Sequence, residues 1–443
     1  MTHLAKNIYA LSSAPGRAGV AIVRISGPNI LEAYQALCQK ETAPLPRMLH
    51  FTHLYDAQGQ IIDKAMIVYF QGPNSFTGED CIELHLHGSA VILDKIYHRL
   101  SEMDGFRMAE RGEFTQRAFE HGKLDLTEAE AIADLIDAET EMQHRQALRQ
   151  LSGELGNLYQ QWHDELKHAL AYIEATIDFS DEELSEGIPD EMMAKIKGLQ
   201  TDVDQHLNDA HMGEKIRQGF SIAIIGAPNA GKSTLLNRLA KSDVAIVTDQ
   251  AGTTRDVIEI KLDIAGYPVV IADTAGIRDT EDLIESEGVK RALKKAELAD
   301  LKLLVVDSND HSKINPAFID ERTCVIWNKS DLKHNPQRHL GECFAHLTLS
   351  AKFDEDLTPL LELLKRYLNQ HYTMGAAPSL TRLRHREHLK EVAHFLAFAL
   401  QEETEALIAE NIRIAMFNLG KITGRVDVED LLDVIFRDFC IGK

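Results

Sequence analysis

The chain has 443 residues, and its 69 acidic side chains outnumber its 47 lysines and arginines, which leaves a formal net charge of −22. Neutralisation of phosphates supplies much of the affinity of proteins that bind nucleic acid over a broad surface, so this charge works against membership of that class. Any RNA contact is therefore expected to be local or shared with a partner. The length fits about two to four domains.

The sequence predicts a cytoplasmic protein without a membrane span. No apolar run approaches the ~20 residues that cross a bilayer. The first residues, Met-Thr-His-Leu-Ala-Lys, lack the layout of a signal peptide. Five scattered cysteines form no Cys-x-x-Cys pair, which suits a reducing compartment; they are Cys38, Cys81, Cys324, Cys343 and Cys440.

Residues 1 to 120 have the pattern of a mixed α/β domain, with two apolar strands that each carry a charge. Arg24 interrupts the run from Val20 to Ile25, and Glu83 interrupts the run that begins at Cys81. Buried charges are costly unless they are paired or bound to something. Two explanations stay open: an Arg–Glu pair between neighbouring strands, which base rates favour, or a pocket for a polar, anionic small molecule.

Long helices are predicted next, over residues 127–153, 155–178 and 189–217. Thr127 and Glu130 have the spacing of a capping box. Helical pattern resumes at Leu380 and continues to the end, with a basic stretch that is predicted to be a solvated helix face; it comprises Arg382, Arg384, Arg386 and Lys390. The sequence leaves open whether the domain between these helices follows them in tandem or is inserted into them.

The region between the helices begins with a P-loop. An apolar run from Phe220 to Ile225 is followed by Gly226, and Gly231-Lys232-Ser233 comes five residues later. Glycines permit the close backbone approach that a nest of phosphate-binding amides requires. The lysine reaches the outer phosphates, and the serine hydroxyl is suited to ligate Mg²⁺.

Further motifs follow in the order found in GTPases. Asp273-x-x-Gly276 ends a second apolar strand and supplies a carboxylate for the magnesium shell. Asn328-Lys329-x-Asp331 ends a third strand, and its carboxylate accepts the guanine N1–H and amine protons that adenine does not offer as a pair. Gly252-Thr253-Thr254-Arg255-Asp256 is a candidate switch I, and Ser350-Ala351-Lys352 is a candidate base-binding loop. These motifs predict a GTPase domain.

The position after Asp-x-x-Gly predicts an unusual hydrolytic mechanism. Ras-like GTPases carry there a glutamine that orients the attacking water, whereas this chain has Ile277. Arg255 and Arg278 are of the type that stabilises transition-state charge, but a solvated surface role is favoured for each. Hydrolysis is therefore expected to use another device.

The motifs together resemble the MnmE (TrmE) family of tRNA-modification GTPases, one of the TrmE-Era-like GTPases. The resemblance spans the whole chain and rests on residues 15–27, 74–80, 111–119, 123–126, 131–136, 226–233, 252–256 and 439–443. It implies a multidomain α/β plus all-α fold. The implied parts are an N-terminal folate-binding and dimerisation domain (1–120), a helical domain in two pieces (121–218 and 373–443), and an inserted Ras-like doubly wound P-loop GTPase domain (219–372).

The resemblance implies a potassium-dependent GTPase that hydrolyses GTP to GDP and phosphate. As a homodimer joined to the FAD protein MnmG in a heterotetramer, it would add an aminomethyl or carboxymethylaminomethyl group to carbon 5 of the wobble uridine of certain tRNAs. Another function stays open: a GTP-switched assembly factor or ribosome-associated binding module without modification chemistry.

The resemblance also assigns roles to individual residues. Glu285 would orient the water. Mg²⁺ would be held by Ser233 and Thr254, and K⁺ by Asn229, Thr248, Gln250 and Thr253. 5-Formyltetrahydrofolate, or a related one-carbon tetrahydrofolate, would contact Arg24, Glu83, Lys123 and Lys443, and a chemical role attaches to Cys440. The implied nucleotide contacts are Asn229, Ala230, Gly231, Lys232, Ser233, Thr234, Thr248, Thr253, Thr254, Asp273, Thr274, Ala275, Gly276, Asn328, Lys329, Asp331, Ser350, Ala351 and Lys352.

Overall fold

The structure is a computed structural model in which the chain forms two compact units. The first comprises Met1–Ala133, Gln150–Ile196 and His394–Lys443, and the second comprises Asp134–Arg149 and Lys197–Ala393. The residues that the structure describes are 7–178, 188–246, 259–273, 296–310, 318–332, 342–353, 357–372, 375, 377–426, 428, 432, 435–437 and 439–442. No helix within these ranges is long and apolar enough to cross a membrane.

The first unit contains a six-stranded sheet of order β3-β4-β5-β2-β1-β6. Its strands are β1 (Asn7–Leu11), β2 (Ala18–Ser26), β3 (His50–Tyr55), β4 (Ile61–Phe70), β5 (Cys81–Gly88) and β6 (Phe106–Met108). Only the β1–β6 pair among these neighbours is parallel. The two strands that were predicted to carry isolated charges, β2 and β5, are thus confirmed and are paired with each other.

Each face of this sheet has its own cover, because successive side chains of a strand point to opposite faces. Helices α1 (Ile30–Cys38) and α2 (Ala90–Ser101) pack with Val23, Ile25 and Leu84 in the larger core. On the opposite face, Ile8 and Ala10 pack against Phe114 of α3 (Glu113–Glu120) and against Phe76. Arg24 and Glu83 belong to this second face.

The predicted helix over 127–153 is two helices, α4 (Leu126–Asp137) and α5 (Glu141–Leu151). The chain restarts at Thr140, whose backbone N–H donates to Gln143 Oε1 at 3.1 Å while the Gln143 N–H lies 3.5 Å from Thr140 Oγ1. This reciprocal pair is a capping box. The predicted box at Thr127 is wrong by two residues, since Asp125 and Glu128 make the reciprocal bonds at 2.8 Å.

One other long helix of the prediction is also divided, and the region predicted to be helical after Leu380 contains two helices in its described part. Residues 189–217 form α7 (Asp190–Leu207) and α8 (Met212–Gln218), and the left-handed residues Ala210 and His211 separate them. The region after Leu380 forms α11 (Leu383–Ala399) and α12 (Glu405–Thr423). The 25-residue α6 (Glu154–Asp178) packs against α12, and Arg413 bonds Glu174 at 2.7 Å between them.

The second unit contains a six-stranded sheet of order β12-β11-β10-β7-β9-β8. Its strands are β7 (Phe220–Ile225), β8 (Glu259–Ile264), β9 (Tyr267–Asp273), β10 (Leu301–Asp307), β11 (Thr323–Asn328) and β12 (Ala345–Thr348). Every neighbouring pair is parallel except β8–β9. Apolar cores on both faces, one including residues of α9 (Lys232–Leu239) and α10 (Thr358–His371), fit a doubly wound α/β sheet.

The basic stretch on α11 is an internal ion-pair network, so its prediction as a solvated face is wrong for two of its residues. Arg382 makes two bonds to Asp134, at 2.8 and 3.0 Å. The Arg386 side chain is only 4% exposed and bonds both Asp209 and Glu214. The charges of Arg382 and Arg386 are thus paired with carboxylates inside the second unit.

Candidate functional site

The second sheet brings the predicted nucleotide motifs to one edge. Strands β7, β9, β10 and β11 are parallel, so their carboxyl ends meet there, where open α/β sheets bind ligands. In register, Ile224 of β7 lies beside Asp273 of β9, and Asp307 of β10 lies beside Asn328 of β11. The P-loop follows β7 directly.

Two P-loop positions require glycine. Gly226 has φ +144°, and a Cβ there would lie 2.2 Å from the carbonyl oxygen of Val305. Gly231 has φ +101°, and its Cβ would lie 2.1 Å from Asn328 Nδ2. Any side chain would therefore force the loop away from β10 and from the guanine motif.

Lys232 begins α9 and curls back over the loop. Its side chain is buried and donates to the carbonyls of Gly226 and Ala227, each at 2.9 Å. Ser233 and Thr234 lie in the first turn of the same helix. The ammonium group and the helix N-terminus thus lie on the side of the loop where phosphates bind in this motif.

Asn328 joins three loops of the site. It is buried, its Nδ2 donates to the Ala230 carbonyl at 2.7 Å, and its Oδ1 accepts the Ala351 N–H at 2.8 Å. Ser350 Oγ donates to Asp331. The predicted P-loop, guanine motif and base-binding loop are therefore assembled into one constellation.

Lys329 and Asp307 form an ion pair beside this constellation, with Nζ 2.7 Å from Oδ2. Burial alone would raise the pKa of Asp307, but the Lys329 ammonium and the Asn309 amide outweigh it and lower the pKa below its ordinary value. Asp307 is therefore an anion at neutral pH. Lys352 extends over the ring of Phe353 at 4.8 Å.

Several predicted site residues lie outside the described residues: Thr248, Gln250, Thr253, Thr254, Thr274, Ala275, Gly276, Glu285 and Lys443. Asp273 is described by its backbone, at the end of β9. The arrangement of switch I and of the proposed water-orienting residue therefore stays a prediction.

The first unit contains a second candidate site, around Arg24. Arg24 Nε donates to Glu83 Oε1 at 3.0 Å, and the guanidinium lies 4.9 Å from the ring of Phe76 and 5.7 Å from that of Phe114. Lys123 donates to the Pro73 carbonyl at 2.9 Å, at the start of the segment that carries Phe76.

The residues before Lys443 lie against the same domain. Gly112 N–H donates to the Cys440 carbonyl at 3.4 Å, and Ser12 Oγ donates to the Gly442 carbonyl at 2.9 Å. The Cys440 side chain is exposed. The tail is thus held next to β1 and next to the start of α3.

One buried nitrogen on the Arg24 face makes no hydrogen bond, which is compatible with a polar ligand. His85 lies two residues after Glu83 on β5, and its Nε2 is buried, makes no hydrogen bond, and lies 3.7 Å from Glu83 Oε2. The neighbouring His87 bonds Asp63 instead, at 2.7 Å. No group of three metal-ligating side chains occurs in the part of the chain that is described.

Sequence reasoning missed one network under the Arg24 site. Arg117 is buried, bonds Glu113 and Glu79, and Glu79 accepts from Ser26 Oγ at 2.8 Å. It holds the segment that carries Phe76 against α3 and β2. The charged residues of the motif at 111–119 were the available signal of this network, but the sequence does not indicate which residues they pair with.

The comparisons with known proteins cover both units. Residues 7–123 match the family model of the GTP-binding protein TrmE N-terminus, and residues 126–440 match that of the MnmE helical domain. The chain is 47% identical to tRNA modification GTPase MnmE of Paramagnetospirillum magneticum, covering 99% of this chain and 100% of that one.

A second relative is mitochondrial. The chain is 44% identical to the 5-taurinomethyluridine tRNA synthase subunit GTPB3 of Danio rerio, covering 98% of this chain and 93% of that one. A solved structure of Aquifex aeolicus Era bound to GDP and AlF4− overlaps with a TM-score of 0.26 and 24% identity, over 42% of this chain and 69% of that one. The family matches and the full-length relatives carry the assignment: the chain belongs to the MnmE (TrmE) family of tRNA modification GTPases, enzymes that hydrolyse GTP.

Proposed function

We propose that the chain is a cytoplasmic, potassium-stimulated GTPase that acts as a homodimer with an MnmG-type flavoprotein. Together they would install an aminomethyl or carboxymethylaminomethyl group on carbon 5 of the wobble uridine of certain tRNAs. The observation that carries the GTPase part of the proposal is the direct bond from Asn328 to Ala230, which unites a phosphate-binding loop with a guanine-selective motif. The tRNA-modification part is supported by the family matches and the full-length relatives.

The P-loop supports a role for two cations in hydrolysis. Ser233, in the first turn of α9, and Asp273, at the end of β9, supply oxygen ligands of the kind Mg²⁺ prefers. Asn229 is exposed at φ +62°, and its amide oxygen is a hard ligand suited to K⁺. When bound there, K⁺ would offset the charge that develops on the phosphoryl group.

The remaining steps of hydrolysis fall to side chains of the chain itself. Lys232 would bind the outer phosphates, and Asp331 would accept the guanine protons. Because Ile277 cannot orient water, we assign that role to Glu285. Magnesium coordination by Thr254 and potassium coordination by Thr248, Gln250 and Thr253 complete the proposed site.

The first unit supports binding of a one-carbon tetrahydrofolate. Its glutamate tail is anionic and its pterin ring is flat and polar, so a guanidinium and an unpartnered imidazole nitrogen suit it. We assign contacts to Arg24, Glu83, Lys123 and Lys443. We also propose the following domains: a folate-binding domain (1–120), a helical domain in two pieces (121–218 and 373–443) and a GTPase domain (219–372).

The Arg24 face of the sheet is exposed on β3 and β4, beyond the part that α3 and Phe76 cover, and this supports dimerisation through the first unit. Phe51, Met66, His85 and Ile22 lie side by side in register on four neighbouring strands. Phe51 is 71% exposed and Met66 is 42% exposed. Burying such a face against a second copy would remove apolar area from water at about 25 cal/mol per Å².

The proposal is tested in cells that lack the protein, by nucleoside mass spectrometry of their tRNA. The modified wobble uridine should be missing and should return with the wild-type chain but not with Lys232→Ala. Unchanged modification in the deletion strain would favour the rival function, a GTP-switched assembly or ribosome-associated module.

A further inference from the structure

Strand β10 separates the two halves of the nucleotide site. It pairs with β7, which leads into the P-loop, and on its other side with β11, which leads into the guanine motif. Asp307 is its last residue. A group at this position is therefore placed to act on both halves at once.

The carboxylate of Asp307 is fixed at both oxygens. Lys329 Nζ donates to Oδ2 at 2.7 Å, and the Asn309 N–H donates to Oδ1 at 3.0 Å. The side chains of the pair are 24% exposed for Asp307 and 32% for Lys329. A partly buried carboxylate that accepts a hydrogen bond at each oxygen holds a lysine more tightly than a carboxylate in a surface ion pair does.

The next residue repeats the connection through the backbone. Ser308 is buried, and both its N–H and its Oγ bond the carbonyl of Asn328, at 3.0 and 2.6 Å. The last residue of β10 and the residue after it thus hold two consecutive residues of the guanine motif. Lys329 itself has φ +63°, a left-handed conformation that non-glycine residues rarely adopt.

Asp307 also faces the phosphate-binding side. A cavity of about 140 Å³ is lined by residues 226–230 of the P-loop and by Leu304, Val305, Val306, Asp307 and Asp310. Asp307 therefore adjoins the loop that binds phosphates while it holds the lysine of the guanine motif.

We propose that Asp307 is a positioning residue that fixes Lys329 for guanine-nucleotide binding and slows nucleotide release. The fixed ammonium sets the path of the lysine stem, whose methylene groups cover the face of a bound base. Without the carboxylate, the Lys329 side chain regains rotational freedom. The entropy cost of ordering it is then added to the cost of nucleotide binding. This inference rests on the proposed function, because it needs a guanine nucleotide in the site.

The chain contains a matched control. Lys302, near the amino end of β10, pairs with Asp320 at 2.7 Å, and Asp320 precedes β11. The Asp320 pair thus joins the same two strands by the same chemistry at the same distance, but at the edge of the sheet opposite the nucleotide motifs. Asp320→Asn reproduces the loss of an ion pair without touching the site.

The experiment measures release of fluorescent mant-GDP from the full-length protein by stopped flow, with thermal unfolding recorded in parallel. Asp307→Asn should release mant-GDP about tenfold faster than wild type, the factor for one charged hydrogen bond. Asp320→Asn should release it at the wild-type rate. In a Lys329→Met background, Asp307→Asn should have no further effect.

The release rates also define the results that would contradict the inference. Equal release rates for Asp307→Asn and Asp320→Asn would overturn the inference, as would an undiminished effect in the Lys329→Met background. If Asp307→Asn fails to fold, Asp307→Glu replaces it: retention of slow release supports the inference, and release as fast as in Lys329→Met overturns it. If the wild type binds no mant-GDP, the proposed function itself fails.

Discussion

Arg24 and Glu83 lie directly opposite each other on β2 and β5, and Arg24 Nε donates to Glu83 Oε1 at 3.0 Å. The sequence left a cross-strand pair and a ligand pocket open, and the structure confirms the pair. About a fifth of each side chain is exposed, 20% for Arg24 and 18% for Glu83. The pair and the pocket are therefore compatible, because paired charges at the surface of a site also orient a ligand.

Replacement of Arg24 tests the folate assignment. Arg24→Ala should weaken binding of 5-formyltetrahydrofolate about tenfold or more, since one charged hydrogen bond is lost. Isothermal titration calorimetry measures the change, with Arg413→Ala as the control, because that arginine forms an exposed pair with Glu174. Equal affinities for the two variants would exclude Arg24 as a contact.

The identity of the salt tests the potassium assignment. GTP hydrolysis should run about tenfold faster in KCl than in NaCl at equal ionic strength, because a bound cation stabilises phosphoryl charge. Asn229→Ala should abolish the difference and leave mant-GDP affinity nearly unchanged. Phosphate-release assays supply the rates, and equal rates in the two salts would contradict the proposed mechanism.

Two neighbouring glutamates test the water-orienting role. Glu285→Ala should lower kcat by ~10² or more, the scale of a lost water-activating group, while GTP affinity is retained. Glu287→Ala, two residues further along, serves as the matched control and should retain activity. Near-normal turnover of Glu285→Ala would show that another group orients the water.

Acidification tests the partial burial of His206 in the second unit. Burial lowers the pKa of His206 to about 4, with Arg386 adding to the shift and Asp209 opposing it. The unfolded state therefore binds more protons between pH 6.5 and 4, and stability falls as the pH falls through that window. From pH 7 to pH 5 this group should cost about 2 kcal/mol.

The measurement for His206 is urea denaturation of wild type and His206→Gln at both pH values. The variant should lose less stability on acidification than wild type, by up to the amount just given. His163 has a lowered pKa too and belongs to the first unit, so His163→Gln is a useful comparison. An identical pH dependence of wild type and His206→Gln would contradict the prediction.

Short motifs with fixed chemistry predicted where the P-loop and the guanine motif lie in the fold. The P-loop and the guanine motif each require particular residue types at fixed spacing, and both occupy the ends of the predicted strands. The ion pair between Asp307 and Lys329 was not predictable. No spacing rule links an acidic residue at the end of one strand to a motif that follows the next strand.

Helix ends were the weaker part of the sequence interpretation. Thr140 and Gln143 have the spacing of a capping box, but they lie within a continuous helical pattern, and periodicity favoured one helix. Similarly, Ala210 and His211 interrupt a helix with residue types that carry no breaker signal. Tertiary bonds decide these positions: Arg386 bonds the Leu207 carbonyl at the end of α7 and Asp209 just beyond it.

The bond from Ser12 to Gly442 has a consequence for biosynthesis. Its partners are 430 residues apart in the chain. Nearly the whole chain must therefore be synthesised before this contact can form. Loop-closure entropy delays such distant contacts further. The edge of the proposed folate pocket is accordingly expected to mature last, after the nucleotide-binding half has already become competent.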